Sequence, residues 1–112
     1  MVASYVPKRG DVVWIDFSPT AGHEQAGRRP ALVLSSELYN QASSLMLACP
    51  ITAKVKKYPF EVPIKAGRIS GVILADQVKN LDWSARPVKF ETAAAAEIVE
   101  RTQGLIEALV KG

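Results

Sequence analysis

The segment Pro19-Thr20-Ala21-Gly22-His23-Glu24-Gln25-Ala26-Gly27-Arg28-Arg29-Pro30 gathers an imidazole, a carboxylate, an amide and two guanidiniums between two apolar stretches. Loops that concentrate ionisable groups between rigid strands are where chemistry usually sits. Several chemistries can be set aside from residue types alone. One His and one Cys among scattered acids give no cluster at zinc spacing, so no metal or other cofactor is expected. Nothing in the spacing of Asp16, Glu24 and Asp76 brings these carboxylates together. No nucleophile-elbow pattern and no phosphate-cradling glycine loop is present.

RNA offers a different route, because the substrate carries its own nucleophile. A ribose 2′-hydroxyl can attack the adjacent phosphorus, expel the 5′-oxygen and leave a 2′,3′-cyclic phosphate. The protein then supplies a base, an acid and charge that stabilises the phosphorane. Arg29 suits the last task, since its planar fork matches two non-bridging oxygens and its high pKa makes it a poor proton donor. Glu24 is the candidate base, and His23 titrates close enough to neutrality to act as acid or base. Thr52 ends an expected strand and can donate its hydroxyl to the same phosphate. Asp76 is a further candidate base or loop-orienting carboxylate. Each has a plainer rival: Arg29 stapling the loop to Asp16 or Asp76, Glu24 capping a turn, Thr52 as an ordinary strand residue.

For RNA contact, Lys54, Lys56 and Lys57 on one connection, with Lys79 and Arg86 from other loops, can neutralise phosphates; as single residues they fit a solvated loop equally well. Gln77 and Asn40 can read splayed base edges. His23, Gln25, Arg28 and Asp76 complete the expected contact set. Trp14, Phe17 and Trp83 are possible stacking platforms, with core packing favoured for Trp14 and Phe17 because they lie in a strand.

Those residues need a scaffold. Asp11 to Phe17 is β-branched and aromatic, bounded by Gly10 and Pro19, and expected as a strand with Val13, Ile15 and Phe17 on one face and Val12, Trp14 and Asp16 on the other. Pro30 to Ser35 is apolar on both faces, the mark of a strand covered twice. Ser36 to Asn40 can form one helical turn capped by Ser35 or Ser36. Leu45 to Thr52 is a third strand, with Pro50 expected near an edge or bulge. Pro59 to Ile64, Gly71 to Ala75 and Arg86 to Phe90 are short strand candidates. Five to seven short strands with frequent turns suggest a small β-barrel. Thr92 is expected to cap a C-terminal helix through the four alanines 93–96. There Ala95, Ile98, Val99, Thr102, Ile106 and Leu109 repeat at helical spacing, and Gly104 is a mild interruption.

With 112 residues, 48% hydrophobic and 22% charged, the chain fits one globular domain over 1–112. Cys49 alone excludes an internal disulfide, in keeping with a reducing cytosol, and its apolar neighbours suggest an inert thiol. No leader and no apolar run near the ~20 residues of a membrane span is seen, so a cytoplasmic protein without a membrane partner is expected. The net charge of +3 is uneven: residues 1–90 hold 12 Lys and Arg against 7 Asp and Glu, while residues 91–112 hold 2 against 4. A basic body with an acidic tail suits a polyanion, although a lysine surplus also aids solubility.

The run Gly22-x-Glu24-Gln25-x-Gly27-x-Arg29-Pro30 resembles the signature loop of the MazF/PemK (Kid) toxins, bacterial endoribonucleases that work without a metal. Tyr5-Val6-Pro7, Gly10-Asp11, Trp14, Asp16-Phe17, Tyr58-Pro59-Phe60-Glu61-Val62 and Ala75-Asp76-Gln77-Val78-Lys79 sit in register with the same pattern, across nearly the whole chain. The resemblance implies an SH3-like barrel with a terminal helix, a homodimer, cleavage of single-stranded RNA and inhibition by a small acidic antitoxin. It also implies an Arg and a Thr at the site, matched here by Arg29 and Thr52. His23 leans towards the PemK branch, whereas Leu74 stands where that branch has an Arg. Two alternatives stay open: a CcdB-like gyrase poison, although the chain lacks an aromatic residue near its C-terminal end, and a barrel that binds RNA without cutting it.

Overall fold

The computed structural model describes residues 5–19 and 21–112; Thr20 of the loop lies outside them. Seven strands, β1 (Asp11–Asp16), β2 (Arg28–Val33), β3 (Leu45–Thr52), β4 (Glu61–Ala66), β5 (Ile69–Leu74), β6 (Lys79–Asp82) and β7 (Lys89–Ala93), are joined by α1 (Glu37–Ser43) and a 3-10 turn at Ala75–Gln77, and α2 (Ala96–Lys111) closes the chain. All pairings are antiparallel, in the order β4-β5-β3-β2-β1-β7, with β6 also on β3. The sheet curls into a half-barrel. Its outer strands approach through side chains: a Cβ at Gly67 in the β4–β5 turn would lie 3.1 Å from Thr92 of β7.

Burial on both faces of the central strands creates two cores. Val12, Leu32, Cys49, Ile51, Val62 and Ile73 pack inside the curl under Val99 of α2, with Ile98, Leu105 and Ile106 against them. Val13, Ile15, Phe17, Ala31, Val33 and Met46 form the other core, covered by Trp83 and Val88. The alternation in β1 divides between the two, as its side-chain pattern requires, and Phe17 belongs to the core and not to a stacking platform. Among the described residues no helix is long and apolar enough to cross a membrane.

Two local expectations are corrected, and one strand is added. Pro50 is not at a sheet edge. It pairs opposite Ala31 of β2, at the point where β3 passes from β6 (Leu45 to Ala48) to β5 (Ile51 and Thr52), so the proline falls in the gap between those two partners. Thr92 does not cap the helix: β7 claims it as the partner of Val12, and α2 starts at Ala96 after Ala95, which makes no side-chain cap. The β6 strand, Lys79–Asp82, was not anticipated, because only one of its residues, Leu81, is buried. Ser36 caps α1 as expected, accepting from the Tyr39 N–H.

Candidate active site

The 21–27 loop is held at its base by the Phe17 N–H donating to the Gly27 carbonyl at 3.0 Å. Gly22 (φ +58°) and Gly27 (φ +78°) take left-handed conformations that favour glycine. Within the loop Glu24 accepts from the Ala21 N–H at 2.7 Å, so this carboxylate is a turn cap. Gln25 N–H donates to Gln77 Oε1 at 2.8 Å, which ties the loop to the 3-10 turn. Arg29 donates through Nε and Nη2 to the Ala26 carbonyl at 3.1 and 2.9 Å, which steadies the guanidinium and leaves its other N–H groups for a ligand.

Arg29 and Thr52 are brought together by strand register. Ala31 pairs with Pro50, Leu32 with Cys49 and Val33 with Ala48, and just beyond the end of that ladder Arg29 and Thr52 line one cleft. On its other side β3 lies close to β5. A Cβ at Gly71 would fall 2.3 Å from the Thr52 carbonyl oxygen, so only glycine allows that approach. Thr52 Oγ1 accepts from the Lys54 N–H at 3.2 Å, turning the chain into the lysine-bearing connection. There Glu61 accepts from the Lys56 N–H at 3.0 Å and closes the return to β4.

The result is a cleft of about 550 Å³ lined by His23, Gln25, Arg29, Thr52, Lys54, Lys56, Tyr58, Glu61, Leu74, Asp76 and Gln77. Six of the expected residues besides Arg29 and Thr52 thus share one space: His23, Gln25, Lys54, Lys56, Asp76 and Gln77 line it, while Lys79 and Glu24 line an adjoining hollow. The charge of Asp76, together with a hydrogen bond from the Tyr58 hydroxyl, pushes the Tyr58 phenol above its ordinary pKa. Behind the cleft, burial first and Asp76 second push the Cys49 thiol up to about 12, so it stays a thiol at neutral pH. Among the described residues no three His, Cys, Asp or Glu side chains are grouped so as to hold a metal ion.

Other expected residues lie elsewhere. Asn40 is the fully buried residue of α1: its amide donates to the carbonyls of Pro7 and Ser35, and its Oδ1 accepts from Ser35. It therefore cannot read a base edge. Arg86 donates to the carbonyls of Asp16 and Ser18 and buttresses the end of β1. Lys57, at a positive φ of 57°, is exposed outside the cleft, and Arg28 lines a different hollow. Trp83 donates its indole N–H to the Asn40 carbonyl and Trp14 donates to Glu91. Tyr58 and Glu61 are cleft residues that residue types alone did not single out; their segment, Tyr58 to Val62, carries the family resemblance and was the available signal.

Fold and cleft together define a class: a small curled-sheet half-barrel that presents arginine, threonine, lysines and titratable side chains at one cluster of loops. A family model described as "PemK-like, MazF-like toxin of type II toxin-antitoxin system" matches residues 8–109. The chain is 44% identical over 110 residues to the endoribonuclease toxin MazF of Escherichia coli K12, covering 98% of this chain and 99% of that one. A crystal structure of MazF from Deinococcus radiodurans superposes with a TM-score of 0.93 at 46% identity, covering 97% of this chain and 100% of that chain. MazF from a MazE–MazF complex of the same organism gives a TM-score of 0.85 at 44% identity, covering 96% and 98%. The chain belongs to the PemK-like, MazF-like family of type II toxins.

Proposed function

We propose that the cleft cuts single-stranded RNA by letting the substrate's own 2′-hydroxyl attack the neighbouring phosphorus, with Arg29 and Thr52 on the phosphate. As a member of its family the chain is an RNA-cleaving toxin, and the proposal concerns how these residues do the work. The observation that carries it is that Arg29 of β2 and Thr52 of the neighbouring β3 line one cleft. In the step, a base removes the 2′-hydroxyl proton, O2′ bonds to phosphorus, and the P–O5′ bond breaks as O5′ takes a proton. The products are a 2′,3′-cyclic phosphate and a 5′-hydroxyl. Arg29 and the Thr52 hydroxyl donate to the non-bridging oxygens as negative charge builds there. Because Glu24 is engaged as a turn cap outside the cleft, the base is sought between Asp76 and His23, which line it.

Lys54 and Lys56 supply positive charge along the cleft, and Gln25 and Gln77 supply polar groups beside it. A Deinococcus relative is crystallised as a MazE–MazF complex, and we infer for this chain a homodimeric toxin, acting in the cytoplasm as one 1–112 domain, inhibited by a small antitoxin whose acidic segment occupies the cationic cleft. Membership of the toxin family favours this reading over a gyrase poison.

The test is an end-labelled RNA incubated with purified protein in EDTA, followed by end-group analysis. Discrete fragments with cyclic phosphate and 5′-hydroxyl ends are expected. Uncut RNA, 5′-phosphate ends, or cleavage lost to chelation would refute the mechanism; binding without cutting would leave only an RNA-binding barrel.

A further inference from the structure

Arg29 and Thr52 line two spaces, not one. On their far side lies a second hollow of about 300 Å³ whose walls include Trp14, Arg28, Arg68 and Ser70. A phosphate held between Arg29 and Thr52 has a nucleotide on each side, and both residues are shared by the two spaces. We propose that this second hollow is a subsite for the nucleotide flanking the scissile phosphate on the opposite side, with Arg28 and Arg68 on its phosphate and Trp14 against its base. The inference rests on the RNA-cleaving reading above and extends it to residues on the other side of the Arg29–Thr52 wall.

Three observations support it. Arg28 and Arg68 come from different places, the start of β2 and the β4–β5 turn beside Gly67, yet they converge on one hollow. Among the described residues neither forms an ion pair, although Asp16 across the β1–β2 ladder feels the charge of Arg28. Trp14 is half-buried, and its indole N–H is fixed on Glu91 at 3.1 Å, so the ring is held in place as one wall of the hollow. Unpaired guanidiniums beside an immobilised aromatic ring are the combination that holds single-stranded nucleic acid through backbone charge and base stacking.

The experiment measures binding by fluorescence anisotropy, using a nonamer RNA centred on a mapped cleavage site with deoxyribose at the scissile position. For the wild-type chain, removing nucleotides from one end should weaken binding about tenfold at the step that empties this hollow. Arg68→Ala, at an exposed turn, should bind the full nonamer several-fold more weakly and lose most of that length dependence, while Arg68→Lys restores much of it. The slope of log affinity against log salt should fall by about 0.7 for each of Arg28→Ala and Arg68→Ala. Unchanged salt slope and unchanged length dependence in both variants would overturn the subsite. Failure of the underlying reading has a separate signature, the all-ribose nonamer left uncut by the wild-type chain.

Discussion

Two polar clusters of this molecule use their hydrogen-bonding groups in opposite ways. Around the buried Asn40 of α1, Ser35 and Trp83 are joined with the Pro7 carbonyl in a network in which Asn40 has both its amide hydrogens and its oxygen engaged. At the cleft, Arg29 gives two N–H groups to a single carbonyl, and Lys54 and Lys56 stand without ion-pair partners among the described residues. The first cluster spends its hydrogen bonds on holding the fold. The second keeps donors in reserve, and reserve capacity is what a substrate phosphate requires. A buried amide with no donor left is a structural residue whatever its chemical type.

Substitutions that separate the clusters sharpen this contrast. Arg29→Ala should lower RNA cleavage by about 10²–10³-fold, the usual consequence of losing one preorganised oxyanion donor, with little change in the urea midpoint. Asn40→Ala should do the reverse: a loss of about 3 kcal/mol in urea unfolding, because buried partners are left unsatisfied, with the folded fraction cleaving at nearly the normal rate. If Asn40→Ala were as stable as the parent but inactive, the division of labour would be wrong. Gly71→Ala joins both effects. Its Cβ would meet the Thr52 carbonyl, so about 2 kcal/mol of stability should be lost, and cleavage should fall as β3 shifts away from β5. At the small end, Gly104 lies on an exposed stretch of α2 with nothing within 4 Å of an added Cβ. Gly104→Ala should raise stability by up to about 1 kcal/mol and leave cleavage untouched, checked by thermal melting beside the nuclease assay.

The framework was legible where burial is patterned. The two-faced β1, the doubly covered β2 and the helix periodicity of Ile98, Val99, Thr102 and Ile106 are all visible as residue spacing, and the structure uses them as such. The helix start was not, because Thr92 satisfies the rule for a cap equally well as the partner of Val12 in β7. Of the site, the loop with His23 and Arg29 could be found from its charge density. The convergence of Arg29 on Thr52 had only the family resemblance as its strong signal, since spacing along the chain does not give the packing that brings β2 and β3 together. Asn40 and Arg86 show the general difficulty. Sequence gives a side chain's donors and acceptors, whereas only the fold shows whether backbone carbonyls have already taken them. Glu24 illustrates the same point, because a loop carboxylate beside a free N–H also caps its own turn.

The most direct test of the central claim replaces a single atom of the substrate. A mapped RNA is prepared with deoxyribose only at the nucleotide whose 2′-hydroxyl should attack, and is incubated with the wild-type toxin beside its all-ribose twin. Cutting at that bond should disappear while binding and cutting at other sites persist. Scission of the deoxy-substituted bond at the normal rate would contradict the mechanism, because the attacking oxygen would then have to come from somewhere other than the substrate.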